Sequence, residues 1–533
     1  MTNKTIPFFS AILLALFSTM LFSCYNNGKA RADYSNQHLL FEPVKDKAAL
    51  PEKKIPSDLT EKKSTEKYQE FTENTFEEAL ENPLSTFSVD VDNASYTNCR
   101  RFLNSGSLPP ADAVRVEEFI NYFDYEYPKP EDDLPFSVYT ELTTCPWDIS
   151  HQLVMVGLQG KEVNTDQAGP NNLVFLIDVS GSMGAPDKLP LVQEGLVKMV
   201  NELGENDRVA IVTYAGEAGE LLSSTPCSKK SEIINAIEKL MSGGSTNGSG
   251  GIHKAYEIAE HNKIENGNNR IILCTDGDFN VGITDLDHLI KLIEKKRETG
   301  IFLTTCGFGS GNYQEETMER LADKGNGVCY YIDSPKEAKR VFVEGLNGTL
   351  HTIAKDVKIQ VEFNPLYVKS YRLIGYENRA LADEDFDNDS VDAGDIGSGH
   401  TVTALYEIVP SYGQISSERM EKQQVALSEK AKNSEDVLTL LLRYKEPKGL
   451  NSQLLSTTIE RNQLSKIMSN NMRWASAVAS FGMLLRESKY KGNSSFKSTE
   501  LMASGVHPDF MDENKKEFLE LVQKAAGFVT AKK

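Results

Sequence analysis

The stretch "VFLIDVSGSMG", residues 174–184, passes from an unbroken apolar run into an aspartate, two serines and two glycines. An apolar run of this length, followed by turn residues, is typical of a strand that is buried on both faces. The serines and glycines behind it predict a tight turn into the next element. This turn could carry a catalytic serine, hold a metal ion, or serve only as a connection. The three alternatives lead to different functions.

Strand-like and helix-like segments alternate around this stretch, from about residue 171 to residue 350. The apolar runs include "RVAIVTYA", "RIILCTD", "GIFLTTCGFG" and "GVCYYID", and between them lie segments such as "LPLVQEGLVKMVNELG", whose apolar residues recur every three to four positions. This alternation indicates a parallel sheet with helices on both faces. We therefore predict a doubly wound, Rossmann-like α/β domain over residues 171–350, with "GELLSS" as a short antiparallel edge strand.

The flanking segments have a different period. "HQLVMVGLQGK" before the α/β domain and "DVKIQVEFNP" and "TVTALYEIVP" after it read as strands, and the later ones alternate apolar and polar residues as half-buried antiparallel strands do. Because such strands are hard to bury separately, we predict one discontinuous β-sandwich, residues 131–165 and 351–447, into which the α/β domain is inserted. Residues 76–130 would form a small N-terminal region, and residues 448–533 a C-terminal region of amphipathic helices.

The N-terminus has the pattern of a secretory signal. Lys4 precedes a nearly continuous apolar run that ends in "LFSC" at Cys24, and its length fits a signal peptide over residues 1–24, although an uncleaved membrane span has a similar length. The ending resembles a bacterial lipobox, which implies cleavage before Cys24 and attachment of two or three acyl chains to that cysteine. Two or more acyl chains anchor a protein stably. The alternative is a buried cysteine that closes an apolar helix.

The location of the protein follows from this pattern. Residues 25–75 are polar and rich in Lys, Glu and Pro, which predicts a disordered tether. We expect an extracytoplasmic lipoprotein of the cell envelope that is attached to the membrane through its lipid anchor. An aspartate directly after the lipidated cysteine favours retention in the inner membrane. Tyr25 stands at that position here, which favours the outer membrane.

Composition excludes several other classes. Acidic residues outnumber basic ones by 77 to 57 and no basic stripe is present, so we expect no nucleic-acid partner. Six cysteines remain besides Cys24, without a CxxC pair, and the histidines show no metal-ligand spacing. These counts are too sparse for a disulfide scaffold and argue against a zinc site.

A catalytic serine is the weakest of the three alternatives. A nucleophile elbow has the form G-x-S-x-G, and here Ser180 stands where the first glycine belongs ahead of Ser182. No histidine follows in a context that suggests a general base, and a serine without a base is inert. We therefore expect no enzymatic activity and no small-molecule substrate.

A metal site fits the same residues better. Asp178 ends the first strand and is followed by Ser180 and Ser182, "GGSTNGSGG" supplies Thr246, and "ILCTDGD" supplies Asp276 at the end of another strand. Loops at the carboxyl ends of parallel strands form the ligand crevice of such sheets. Hydroxyl and carboxylate oxygens suit Mg²⁺, or Ca²⁺ or Mn²⁺.

These five residues together resemble the metal-ion-dependent adhesion site of von Willebrand factor type A (VWA) domains, which has a DxSxS motif, a threonine in a glycine-rich loop and a TDG aspartate. The resemblance implies that Ser180, Ser182 and Thr246 coordinate the ion through their hydroxyls, while Asp178 and Asp276 complete the shell directly or through water. It also implies an open coordination position that an acidic side chain of a protein partner fills.

The resemblance extends beyond this domain. "STFSVDVDNASYTNCRRFLNSGSLPPADAVRVEEFINYFDYEYP" and "RWASAVASFGMLLRES" are similar to segments of bacterial VWA lipoproteins of the YfbK type, and the similarity begins at about residue 76. The implied function is cation-dependent protein binding, as an adhesion or scaffold protein. The alternative is a structural or assembly component of an envelope complex, in which the metal only stabilises the fold.

Overall fold

The structure is a computed structural model and describes the chain in segments: residues 64–131, 134–163, 169–245, 248–277, 283–411, 435–449 and 451–531. The predicted signal peptide with Cys24, the predicted tether up to residue 63, and Thr246 lie outside the described residues. Among the helices that the structure does describe, none has the length and apolarity needed to span a membrane.

The described segments begin with strands and short helices. Before the α/β domain the elements are β1 Glu77–Glu78, β2 Leu84–Ser88, α1 Ala94–Asn104, α2 Val116–Asn121, β3 Phe136–Thr144 and β4 Gln152–Gly160.

The α/β domain alternates strands and helices as expected. Its elements are β5 Asn171–Asp178, α3 Leu189–Glu202, β6 Arg208–Tyr214, β7 Ala218–Pro226, α4 Lys230–Glu238, α5 Gly248–His261, β8 Asn268–Thr275, α6 Ile283–Arg297, β9 Ile301–Phe308, α7 Glu315–Lys324, β10 Cys329–Ile332, α8 Pro335–Lys339 and α9 Leu346–Leu350. The strand order in the sheet is β10-β9-β8-β5-β6-β7, and only β7 is antiparallel to its neighbour.

Strand β5 explains why this sheet is covered on both faces. All eight of its residues are buried. Phe175 and Ile177 pack with helix α3, whereas Val174 and Leu176 pack with helix α5 on the opposite face. Successive side chains of a strand point to opposite faces, so an unbroken apolar run requires helices on both sides. The doubly wound domain and its antiparallel edge strand are therefore confirmed.

The remaining strands and helices follow the α/β domain. They are β11 Thr352–Phe363, β12 Val368–Ile374, β13 Gly394–Gly397, β14 Thr401–Pro410, β15 Asp436–Lys445, β16 Ser452–Glu460, β17 Leu464–Ser465, α10 Asn470–Leu485, α11 Phe496–Ala503 and α12 Glu513–Ala531.

Two sheets outside the α/β domain share one hydrophobic core. One has the order β1-β12-β14-β4-β3-β17, and the other has the order β13-β11-β15-β16, with β2 also paired to β11. Val156 and Tyr406 of the first sheet pack in the same apolar cluster as Ile359 and Leu440 of the second. The predicted β-sandwich with an inserted α/β domain is therefore confirmed as the fold class.

The sandwich contains strands that the sequence patterns did not place in it. Strand β2 lies within residues 76–130, and β16 and β17 lie within residues 448–533, where only helices were expected. Strand β16 is an edge strand, paired on one side with β15. Most of its residues are at least partly exposed, so its sequence lacks the apolar signal of a buried strand.

The inserted domain enters and leaves the sandwich at neighbouring points. Strand β4 ends at Gly160 and β11 begins at Thr352. A Cβ atom on Gly160 would lie only 2.9 Å from Cδ1 of Ile353. The backbone N–H of Gly160 also donates to the carbonyl of His400, at 2.8 Å, beside the start of β14.

The C-terminal region forms helices, as its amphipathic patterns predict, and these pack against the N-terminal helices. Trp474 of α10 is fully buried, with ring centroids of Phe123 and Phe518 at 5.2 Å and 5.1 Å from its own. Edge-to-face contacts of this kind add to the stabilisation from buried area. This helical layer has a hydrophobic core distinct from that of the sandwich.

The chain enters the folded body through a short ordered segment, residues 64–69, which we call the N-terminal strap. The backbone N–H groups of Thr65 and Lys67 donate to the carbonyls of Gly311 and Tyr313, at 2.8 and 3.0 Å, and Glu315 donates back to Lys67 at 3.1 Å. The polar composition led us to expect disorder over residues 25–75, and this part differs because the 311–315 loop supplies partners for its backbone.

The environment of the buried Glu117 carboxyl predicts that a substitution there will stabilise the protein. Glu117 of α2 is fully buried, and neither of its carboxyl oxygens has a hydrogen-bond partner among the described residues. Burial, and then the negative charge of Glu377, raise the pKa of Glu117 from an ordinary value near 4.5 to about 8. The protonated carboxyl is therefore favoured in the folded protein, and the stability that it contributes is lost as the pH rises from 4.5 through 8.

We expect Glu117→Gln to be more stable than the wild type at pH 9, by about 1–3 kcal/mol, because the amide cannot ionise. At pH 4 the advantage should vanish. Urea denaturation of both proteins at the two pH values measures the difference, and a difference that does not depend on pH would contradict the prediction.

Candidate metal centre

Asp178 is the last residue of β5 and lies fully buried at the carboxyl edge of the parallel sheet. Its Oδ1 accepts a hydrogen bond from the backbone N–H of Ser180 at 2.8 Å, and its Oδ2 accepts one from Oγ1 of Thr275 at 3.0 Å. The first bond is the usual way in which an aspartate closes a turn on its own backbone. Together they fix the carboxylate at the end of the strand.

Ser180 and Ser182 place two hydroxyl oxygens side by side beyond this carboxylate. Their Oγ atoms are 3.0 Å apart. Neighbouring ligands of an octahedral Mg²⁺ ion, each about 2.0–2.1 Å from it, are separated by about 3 Å, so the pair has the spacing that such an ion requires. Ser180 is buried and Ser182 is exposed. The residues that are present therefore fit a divalent cation bound at the open rim of the sheet.

The glycine-rich loop before α5 is held against this turn. Gly181 donates from its N–H to the carbonyl of Gly244 at 3.1 Å, and Gly243 donates to the carbonyl of Val179 at 2.7 Å. Gly244 has a φ of +87°, a conformation that favours glycine. Thr246 itself lies outside the described residues, but the loop that leads to it is fixed beside the two serines.

Asp276 comes directly after β8 and is also fully buried. Its Oδ2 accepts a hydrogen bond from Nζ of Lys188 at 2.9 Å, and the same ammonium donates to Oδ1 of Asn312 at 3.1 Å. Asp276 also takes part in a hydrogen bond with Ser182. The structure thus brings Asp178, Ser180, Ser182 and Asp276 together, as the sequence predicts.

The pKa values of the two aspartates are shifted in opposite directions. Burial raises the pKa of Asp178 to about 6, against the hydrogen bonds from Ser180, and the charge of Asp276 adds to the increase. Burial alone would also raise the pKa of Asp276, but hydrogen bonds with Asn312, Lys188 and Ser182 and the charge of Lys188 hold it below its ordinary value. Asp276 is therefore the more firmly ionised of the two carboxylates.

Sequence reasoning missed Lys188 and Asn312. Lys188 stands immediately before helix α3, where the positive end of the helix dipole disfavours a cation. A residue that breaks a local rule without an obvious gain often marks a site, so this position carried a signal. Asn312 lies in the loop after β9, and nothing in its local sequence indicates that it would meet the ammonium.

Comparison with known proteins matches three successive parts of the chain to family models: von Willebrand factor over residues 62–155, the von Willebrand factor type A domain over residues 172–344, and the C-terminal part of the uncharacterized protein YfbK over residues 348–528. YfbK of Escherichia coli K12 is 42% identical over 470 residues, which cover 87% of this chain and 81% of YfbK.

Other proteins are similar to this chain at lower sequence identity. An uncharacterized protein of Synechocystis sp. is 28% identical over 194 residues, 36% of this chain, and this chain spans less than half (45%) of its length. A solved von Willebrand factor type A structure from Catenulispora acidiphila covers 75% of this chain and 92% of its own, at 14% identity and a TM-score of 0.43. That score is too low to support an argument about function.

Proposed function

Since this chain belongs to the YfbK family of proteins with a von Willebrand factor type A domain, we propose that it binds a protein partner through a divalent cation. VWA domains are in general protein-binding modules that use a metal-ion-dependent adhesion site. The finer proposal is that Asp178, Ser180, Ser182, Thr246 and Asp276 hold Mg²⁺, or Ca²⁺ or Mn²⁺, and that an acidic side chain of the partner completes the coordination.

The observation that carries this proposal is the convergence of two hydroxyls and two carboxylates at one rim of the sheet. The Oγ atoms of Ser180 and Ser182 are 3.0 Å apart, and Ser182 also reaches Asp276. The exposure of Ser182 leaves this rim accessible to another molecule. A cation held mostly by neutral hydroxyls would retain enough positive charge to attract a carboxylate.

The chain's own residues prepare the site before any partner arrives. Thr275 and the backbone of Ser180 orient the Asp178 carboxylate. The backbone bonds of Gly243 and Gly244 hold the loop that precedes Thr246 beside the two serines. A preorganised site loses little conformational entropy on binding. These roles are binding roles, and the proposal assigns no catalytic residue and no bond-breaking step.

The location of the protein is part of the proposal. We infer from the lipobox-like ending at Cys24 that the mature chain is lipid-anchored in the cell envelope, in the outer membrane. The partner would then be another envelope or extracellular protein that presents a glutamate or aspartate to the metal centre.

Affinity capture with the full-length, detergent-solubilised protein tests the proposal. We expect the wild type to retain a partner in Mg²⁺ and to lose it in chelator, and Ser182→Ala to retain none, because one hydroxyl ligand is gone. Ser223→Ala is the matched control, since this exposed serine lies on the edge strand β7 and should leave capture unchanged.

Two other results would redirect the proposal. Capture by Ser182→Ala at the wild-type level, or capture that persists in chelator, would show that binding does not use this site. If Mg²⁺ raises the melting temperature and leaves capture unaffected, the metal only stabilises the fold, which is the structural or assembly alternative.

A further inference from the structure

The ammonium of Lys188 contacts the carboxylate of Asp276 in the candidate metal centre. Its Nζ lies 2.9 Å from Oδ2 of Asp276 and 3.1 Å from Oδ1 of Asn312. Lys188 is only 6% exposed and Asp276 is fully buried. A buried, charge-assisted contact of this kind is stronger than a surface ion pair, because water does not screen it.

Packing holds the lysine in this position. Its aliphatic part lies across Gly309, where an added Cβ would come within 2.4 Å of Cγ and Cε of Lys188. Gly309 has a φ of +72°, and so favours glycine for its backbone as well. At the other end, the backbone of Lys188 donates to the carbonyl of Ala185 at 3.0 Å and accepts from Val192 at the start of α3. The ammonium therefore cannot move away from Asp276 without repacking.

This placement changes the charge that a metal ion would meet. Asp178 and Asp276 bring two negative charges and the hydroxyl ligands bring none, so Lys188 leaves the centre with a net charge of only about −1. A fixed positive charge next to one carboxylate also repels a cation at the same rim. The carboxylate of a partner would restore the missing negative charge.

We propose that Lys188 is a built-in counter-cation of the metal centre, which holds Asp276 when no ion is bound and weakens the binding of a divalent cation until a partner carboxylate joins. The inference rests on the proposed function and adds its regulation. Because coupling between two ligands is reciprocal, the ion and the partner each strengthen the binding of the other, and the centre binds metal more weakly on its own than with the partner.

Mn²⁺ binding to the full-length protein without a partner tests this role, with free Mn²⁺ measured by electron paramagnetic resonance. We expect Lys188→Met to bind Mn²⁺ at least tenfold more tightly than the wild type. Lys188→Gln, whose amide can still donate to Asp276, should also bind more tightly, which separates the charge from the hydrogen bond. Lys198→Met is the control, since Lys198 lies on helix α3, which Lys188 precedes, and its partly exposed side chain pairs with Glu194 of the same helix.

Each outcome decides between the two proposals. If the wild type and Lys198→Met bind Mn²⁺ and both Lys188 variants bind it equally or more weakly, the counter-cation role is wrong and the proposed metal site stands. If only the Lys188 variants bind Mn²⁺, the ammonium replaces the ion in the wild type, and the proposed cation-dependent function is wrong. If no protein binds Mn²⁺, both are wrong. Circular dichroism confirms that each variant is folded.

Discussion

Asp178→Asn is expected to reduce the affinity of the protein for Mg²⁺ by about 10–100-fold or more. The loss of a group that only supports a metal ligand already costs that much. Asparagine keeps the shape of the side chain but removes one of the two negative charges at the rim. It also replaces one carboxylate oxygen by an amide nitrogen, which cannot accept, so one of the two hydrogen bonds that Ser180 and Thr275 donate to separate oxygens is lost. The site would lose both charge and orientation.

Isothermal titration with Mg²⁺ measures this effect directly, and a thermal shift gives a second reading. Asp187→Asn is the matched control, because Asp187 lies in the same turn region, only partly exposed, and is not among the candidate ligands. We expect the control to bind Mg²⁺ nearly as the wild type does. An affinity in Asp178→Asn equal to that of the control would show that Mg²⁺ does not bind at this rim.

Arg100→Met is expected to destabilise the folded chain by about 3–5 kcal/mol, the usual cost of leaving a buried charge without its partner. The guanidinium of Arg100, on helix α1, lies 2.5 Å from Asp333 and 2.8 Å from Glu337 of the α/β domain, and 3.2 Å from Glu517 of α12. It also donates to the hydroxyl of Tyr122 at 2.8 Å. One side chain therefore joins three parts of the chain.

The loss should depend on pH. Burial raises the pKa of Asp333 even with Arg100 beside it, so without the arginine the carboxyl is still easier to protonate. A protonated Asp333 needs no counter-charge, and we expect part of the lost stability of the variant to return as the pH falls. Urea denaturation at pH 5 and pH 7.5 measures both effects.

Lys336→Met serves as the control for the arginine variant. Lys336 also contacts Glu517, at 3.3 Å, but its side chain is 45% exposed, and exposed ion pairs contribute about 0–1 kcal/mol. If both variants lose the same small amount, the buried network contributes no more than a surface pair, and the prediction is wrong.

The fold could be predicted from the sequence because its two kinds of sheet leave different patterns. Strand β5 has an unbroken apolar run since helices cover both faces, whereas in β14 of the sandwich Thr401, Thr403 and Glu407 interrupt the apolar residues, although the structure buries that strand on both faces too. The apolar pattern changes near residue 171 to that of alternating buried strands and helices, and near residue 350 it changes back to that of antiparallel strands. These two changes indicated an insertion. The helices of the C-terminal region were equally visible from the spacing of Trp474, Phe481 and Leu485.

Other parts could not be predicted because their stability comes from distant partners. Strand β16 is polar and forms through backbone bonds to β15, and the strap is ordered by the 311–315 loop, more than 240 residues away. The same holds within the candidate metal centre. The DxSxS motif is local and was recognisable, while the contact between Lys188 and Asn312 joins residues 124 positions apart.

The two ends of the inserted α/β domain lie close together, and this affects how the domain could be removed or replaced. Ile353 lies so close to Gly160 that a Cβ there would meet its side chain, so a short linker between β4 and β11 would close the gap after the whole α/β unit is removed. Insertion is tolerated best where the entry and exit of a domain lie close together. The close ends make an exchange of the α/β domain possible in geometry, and a replacement domain would also have to supply carboxylates for Arg100, which Asp333 and Glu337 provide here.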